Sequence, residues 1–78
     1  MKKRLFCTIP PDLIKEPLLF TMGKEFGVVP NIRGASVTDT VAILSLELEG
    51  DVDQVEAAEA YLRDQGVQVE VLQPDSQP

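Results

Sequence analysis

"VAILSLELEGDVDQ", residues 41 to 54, holds the clearest strand of the chain and, directly after it, the start of a helix. Ala42, Leu44, Leu46 and Leu48 alternate with Val41, Ile43, Ser45, Glu47 and Glu49. Side chains of a strand point to opposite faces in turn, so this pattern describes a strand with one leucine-rich face buried and the other turned to solvent. Gly50 ends the run. Asp51 and Gln54 then have the spacing of a capping box. Val52, Val55, Ala58 and Leu62 recur at helical intervals up to about Gln65, and Gly66 suits the cap that closes such a helix.

Working outward from this unit gives the rest of the order. Downstream, "VQVEVL" alternates again, with Val67, Val69 and Val71 inward. Upstream, residues 28–37 read as a strand with Pro30 near its start, which fits an edge better than the centre of a sheet, because proline cannot donate to the ladder. Thr38-Asp39-Thr40 makes the turn between this strand and the opening one. Before it, Leu19, Met22 and Phe26 share a helical face, Pro17 suits the first turn, and Gly27 the C-terminal cap. Gly23 inside that helix costs about 1 kcal/mol relative to alanine, which points to close packing against the sheet. "KKRLFCTI" places Leu5, Cys7 and Ile9 on one face, and Pro10-Pro11 stops it. "DLIKE" is a connector.

The order is therefore β-α-β-β-α-β. Each strand–helix–strand unit prefers a right-handed crossover, and two such units interleaved give an α+β, ferredoxin-like sandwich. It has a four-stranded antiparallel sheet with both helices on one face. The first and third strands lie in the centre, and the second and fourth form the edges. Arg4, Phe6, Thr8, Val41, Ile43 and Ser45 then share the open face, with Glu47, Glu49, Gln68 and Glu70 towards its other end. That mixture reads either as a contact surface or as scattered exposed apolar residues. Residues 1–73 make one domain, and residues 74–78 a disordered polar tail.

Composition narrows the function classes. Seventy-eight residues with four aromatics give a thin aliphatic core close to the lower size limit for an unassisted fold, so dimerisation would help stability. There is no histidine, and the single cysteine, Cys7, excludes an internal disulfide and a four-thiolate metal site. Cys7 reads as a buried, inert thiol on a central strand. The net charge of −6 opposes general nucleic-acid binding. Residues 39–78 carry ten acidic residues against one base, Arg63, a solvated acidic surface. The short basic start, followed by only Leu5 to Ile9, is too brief for a membrane span, and a cytoplasmic location is expected.

No catalytic arrangement emerges. No Ser or Cys has a histidine to activate it, and "MGKEFG" places its glycines inside and after a helix instead of ahead of one. Glu47/Glu49 belong to the solvated face of a strand. Asp51/Asp53 are explained by capping and the helix dipole. No metal or cofactor is expected. What remains is "PNIRGASV", residues 30–37. Asn31 could bond the backbone at the strand start, Arg33 could be an edge charge that discourages strand addition, and Gly34 could mark a bulge or a close backbone approach. Their adjacency also suits a ligand with a carboxylate or amide, because arginine offers a forked donor and asparagine both a donor and an acceptor.

From about Phe6 to Leu72 the chain resembles the NIL domain family, named for an Asn-Ile-Leu motif that reads Asn31-Ile32-Arg33 here. The matching stretches are "FCTIPPDLIKEPLLFTMGKEFGVVPNIRGASV", "LSLELEGD" and "AEAYLRDQGVQVEVL", together with Pro17 before a short helix. The resemblance implies a ferredoxin-like fold related to amino-acid-binding ACT domains. NIL domains occur at the C-terminus of the ATPases of methionine-import ABC transporters, where paired domains bind methionine and inhibit transport. They also occur fused to iron–sulfur ferredoxin modules, and the Asn-Ile-Arg form is closer to that subgroup. This chain has no Walker motif, a single cysteine that cannot hold a cluster, Arg33 in place of leucine, and no aromatic residue in the turn at 38–40.

Two functions follow as expectations. One is a non-catalytic regulatory module, a homodimer sensing methionine or a related sulfur amino acid, with Asn31, Ile32 and Arg33 contacting the ligand. The other is a protein-interaction module that docks on a redox or sulfur-metabolism partner through the open sheet face, without a ligand.

Overall fold

The computed structural model describes residues 1–13 and 17–73. Its elements are β1 (Lys2–Ile9), α1 (Leu18–Phe26), β2 (Val29–Val37), β3 (Ala42–Glu49), α2 (Val52–Gln65) and β4 (Gln68–Gln73), with a single 3₁₀ turn at Pro11–Leu13. The four strands form one antiparallel sheet in the order β2-β3-β1-β4. This is the ferredoxin-like α+β arrangement, with the two expected strands in the centre. The expected tail at 74–78, and most of the "DLIKE" connector, lie outside the described residues.

The leucine alternation of β3 is the base of the core. Leu46 and Leu48 are fully buried, and Ala42 and Leu44 nearly so. Register pairs Leu5 with Leu46 and Cys7 with Leu44, so β1 adds its inward face to the same layer. Met22 of α1 and Val55, Ala58 and Leu62 of α2 close it from above. The rings of Phe26 and Tyr61, 5.5 Å apart, join the two helices at the margin. Fully burying aliphatic side chains of this size contributes about 1.5–3 kcal/mol each, and nothing else in so small a chain offers as much.

The helix ends follow from local chemistry. Asp51 and Gln54 form the capping box, with the Asp51 backbone N–H donating to Gln54 Oε1 at 3.4 Å. Gly66 closes α2 at φ 106°, a conformation that costs a residue with a Cβ, and its N–H donates to the Leu62 and Arg63 carbonyls. Thr38 shapes the β2–β3 turn: its hydroxyl accepts from the Val41 N–H at 3.2 Å, and its N–H donates to the Val41 carbonyl at 2.8 Å.

Two details differ from the sequence reading. Val52, assigned to the buried stripe, is 51% exposed: it is the first residue of α2, and the buried seam begins one turn later at Val55. Leu18, not Leu19, is the second buried residue of α1, while Leu19 and Phe26 are half-buried. Gly23 is packed closely against the sheet as expected, at the start of β2: a Cβ there would lie 3.2 Å from the Val28 carbonyl oxygen and 3.5 Å from Pro30 Cδ.

Candidate functional site

The two outer strands are covered very differently, and lengths explain why. A nine-residue helix such as α1 is about 14 Å long, whereas a nine-residue strand such as β2 runs about 30 Å. The fourteen residues of α2 span about 21 Å, close to the about 20 Å of six-residue β4. On β4, Val69 and Val71 accordingly pack on the core. On β2, Ile32 and Val37 face the helix side, opposite Leu46 and Ala42, yet are 55% and 63% exposed.

The uncovered stretch forms a groove of about 330 Å³ between α1 and β2. Every described residue lining it is apolar, among them Leu18, Leu19, Phe20, Ile32, Val37 and Leu44. A shallower hollow beside Phe20, Gly23, Lys24 and Pro30 continues it past Ile32. Among the described residues no strand pairs with the outer edge of β2. Phe20, 70% exposed, adds to this apolar margin, while Val29, opposite Glu49, is exposed on the open face.

The edge strand is also irregular. Ile32 pairs with Leu46 and Gly34 with Ser45, so Arg33 is an extra residue without a partner in β3, a β-bulge. A Cβ on Gly34 would meet nothing within 4 Å, so this glycine marks the bulge and no close backbone approach. Asn31 lies opposite Glu47, on the open face. Arg33, two residues on, shares that face, where its Nη1 is 3.9 Å from Glu47 Oε1. Arg4, opposite Glu47 on the other side, brings Nε to 3.6 Å from Oε2. Glu47 is thus buried between two guanidinium groups, although its place in the alternation marks it as a solvated strand residue. The burial comes from cross-strand neighbours 14 and 43 positions away (47 − 33 and 47 − 4), which no local pattern announces.

Asn31, Ile32 and Arg33 are therefore divided. Ile32 borders the groove on the helix side, while Asn31 and Arg33 stand on the open face. No side-chain hydrogen bond of Asn31 is found among the described residues. The helix side of the sheet has a different polar cluster. Glu59 of α2 holds Lys3 Nζ at 2.6 Å and Arg63 Nη2 at 2.8 Å. Burial pushes the Glu59 carboxyl up, but the hydrogen bonds and charges of Lys3 and Arg63 outweigh it and hold the group below the usual carboxylate range. Cys7 is buried, and desolvation pushes its thiol up to about 11, with Arg63 lowering it and Glu59 adding to the rise. Such a thiol carries almost no thiolate at neutral pH.

Among the described residues no group of three Cys, Asp or Glu side chains is placed to hold a metal, and no helix is long and apolar enough to cross a membrane. No curated protein matches the chain. Among solved structures, the crystal structure of the C-terminal domain of an ABC transporter ATP-binding protein from Enterococcus faecalis superposes with a TM-score of 0.78. It is 22% identical, over 90% of this chain and 82% of that one. At that identity the likeness speaks for the fold. The NIL domain family model matches residues 4–71, nearly the whole described chain, including the Asn31-Ile32-Arg33 strand. The chain belongs to the NIL domain family.

Proposed function

We propose that this protein is a non-catalytic regulatory module that pairs with a second copy and binds a small amino acid across the edge of β2, with methionine or a related sulfur amino acid the first candidate. The observation that carries this reading is the uncovered groove beside Ile32, next to a strand edge that bears Asn31 and Arg33. An apolar side chain suits the groove, and a carboxylate suits the forked donors of a guanidinium reaching round the edge. The Asn31 amide supplies a donor and an acceptor for the remaining polar groups. A second copy along β2 would cover the exposed apolar margin of Phe20, Ile32 and Val37.

The same exposed margin favours a second reading, a module that docks on a redox or sulfur-metabolism protein without a ligand. On the open sheet face, Phe6, Val41 and Ile43 are half-buried, so the most exposed apolar surface lies along α1 and β2.

A thermal-shift screen of the twenty amino acids, with light scattering after size exclusion, separates the two. The expected result is a dimer, stabilised by one amino acid by about 2.7 kcal/mol at a hundred times its dissociation constant. Arg33→Ala should weaken that binding about 10- to 100-fold, the equivalent of about 1.5–3 kcal/mol for a charged hydrogen bond. A clean 8.6 kDa monomer that no amino acid stabilises would leave the docking module as the better reading.

A further inference from the structure

We infer that Glu47 is an internal competitor for Arg33, and that Arg4 sets how strongly it competes. The inference rests on the ligand reading above and concerns how that site is tuned. Each Glu47 oxygen faces a different guanidinium, at 3.6 and 3.9 Å, both beyond ordinary hydrogen-bond length. The two arginines share one carboxylate and neither is saturated by it. Arg33 is the looser partner. It is half exposed, lies at the longer distance, and is carried by a bulge residue with no partner in the β3 ladder.

Ile32 and the groove lie on the opposite side of the sheet from this ion pair. A carboxylate bound beside Ile32 can therefore take Arg33 only if the guanidinium leaves Glu47. Glu47, at 11% side-chain exposure, would then be left desolvated without a counter-charge, were it not for Arg4. Arg4 keeps it neutralised while Arg33 is away. Removing Glu47 thus frees Arg33 and strengthens ligand binding. Removing Arg4 leaves Glu47 dependent on Arg33 and weakens it. Opposite signs from two residues that need not touch the ligand are the signature of competition.

Calorimetry with L-methionine on the wild type, Glu47→Gln, Arg4→Ala and Arg33→Ala tests this. Both arginines are about half exposed and both contacts are long, so the expected changes are about two- to fivefold: tighter for Glu47→Gln and looser for Arg4→Ala. L-Methioninol, which lacks the carboxylate, should gain nothing from Glu47→Gln. The half-exposed Arg4→Ala decides alone if Glu47→Gln does not fold. Should both variants bind methionine as the wild type does, or shift in the same direction, while Arg33→Ala still weakens binding, the competition is refuted and the ligand reading stands. Methionine binding to none of the four proteins overturns both.

Discussion

Leu46 and Ile32 face each other across one rung of the sheet, on the same side of it, and their surroundings could hardly differ more. Leu46 is wholly buried under the helices, whereas Ile32, one strand outward, is 55% exposed. The contrast extends along both outer strands: β4 is matched in length by α2, but β2 overruns α1 by about half its length. One half of the sandwich is built for stability, and the other leaves apolar surface free for another molecule. In a thin core with about 5–15 kcal/mol of net stability to draw on, surface left uncovered at β2 is the part of the fold most available to function.

The sharpest way to break this contrast is to put a charge on each side of that rung. Leu46→Asp should abolish folding, since an unpaired carboxylate in the core costs several kcal/mol. Ile32→Asp, at low protein concentration, should shift stability by no more than about 1 kcal/mol. Far-ultraviolet circular dichroism melts of both variants would settle it, and equal losses would remove the distinction between the two halves.

A smaller effect concerns the two polar clusters on opposite faces of the sheet, at Lys3 and Arg4 of β1. Glu59 has a folded pKa below its ordinary value of 4.5, so the stability it contributes is fully present above about that pH. It is lost as the pH falls through the lower folded value. Lys3→Ala should raise the folded value and flatten the acid limb of the stability profile between about pH 4.5 and the folded pKa. Urea melts from pH 6 down to pH 2 would show it. An unchanged acid limb would mean that Lys3 and Glu59 do not act as a pair in solution.

The smallest effect belongs to Gly34. It has no positive φ and no neighbour that a Cβ would strike. Gly34→Ala should leave the stability, read from a thermal melt, unchanged or raise it slightly, by up to about 1 kcal/mol through the unfolded chain. A clear loss would show that the bulge depends on glycine.

How legible these features are in the sequence follows from the range of the interactions behind them. The β3 alternation, the Asp51–Gln54 cap and Gly66 are local, and with them the order of elements and the central strands can be read directly. Val52 misleads because periodicity assigns a face but cannot say where along the helix the sheet begins to cover it. The division of Asn31, Ile32 and Arg33 between two faces follows from plain alternation, whereas the burial of Glu47 depends on strand pairing. The bulge hides the facing of Gly34 and the residues after it, since an extra residue breaks the period of two on which any assignment of faces rests. The groove depends on the relative lengths of α1 and β2, quantities that residue pattern fixes only to within a few positions at each end.

The bulge has a consequence for how this chain can change over time. On the helix side, β2 presents Pro30 and Ile32 before the irregularity and Ala35 and Val37 after it. Excising Arg33 would leave those four at strict intervals of two, with every inward residue still inward. A one-residue deletion within a strand normally turns one part of it inside out; here it would restore a regular ladder. The position is a place where the lineage can gain or lose a residue, and with it a cationic group at the edge, without disturbing the core.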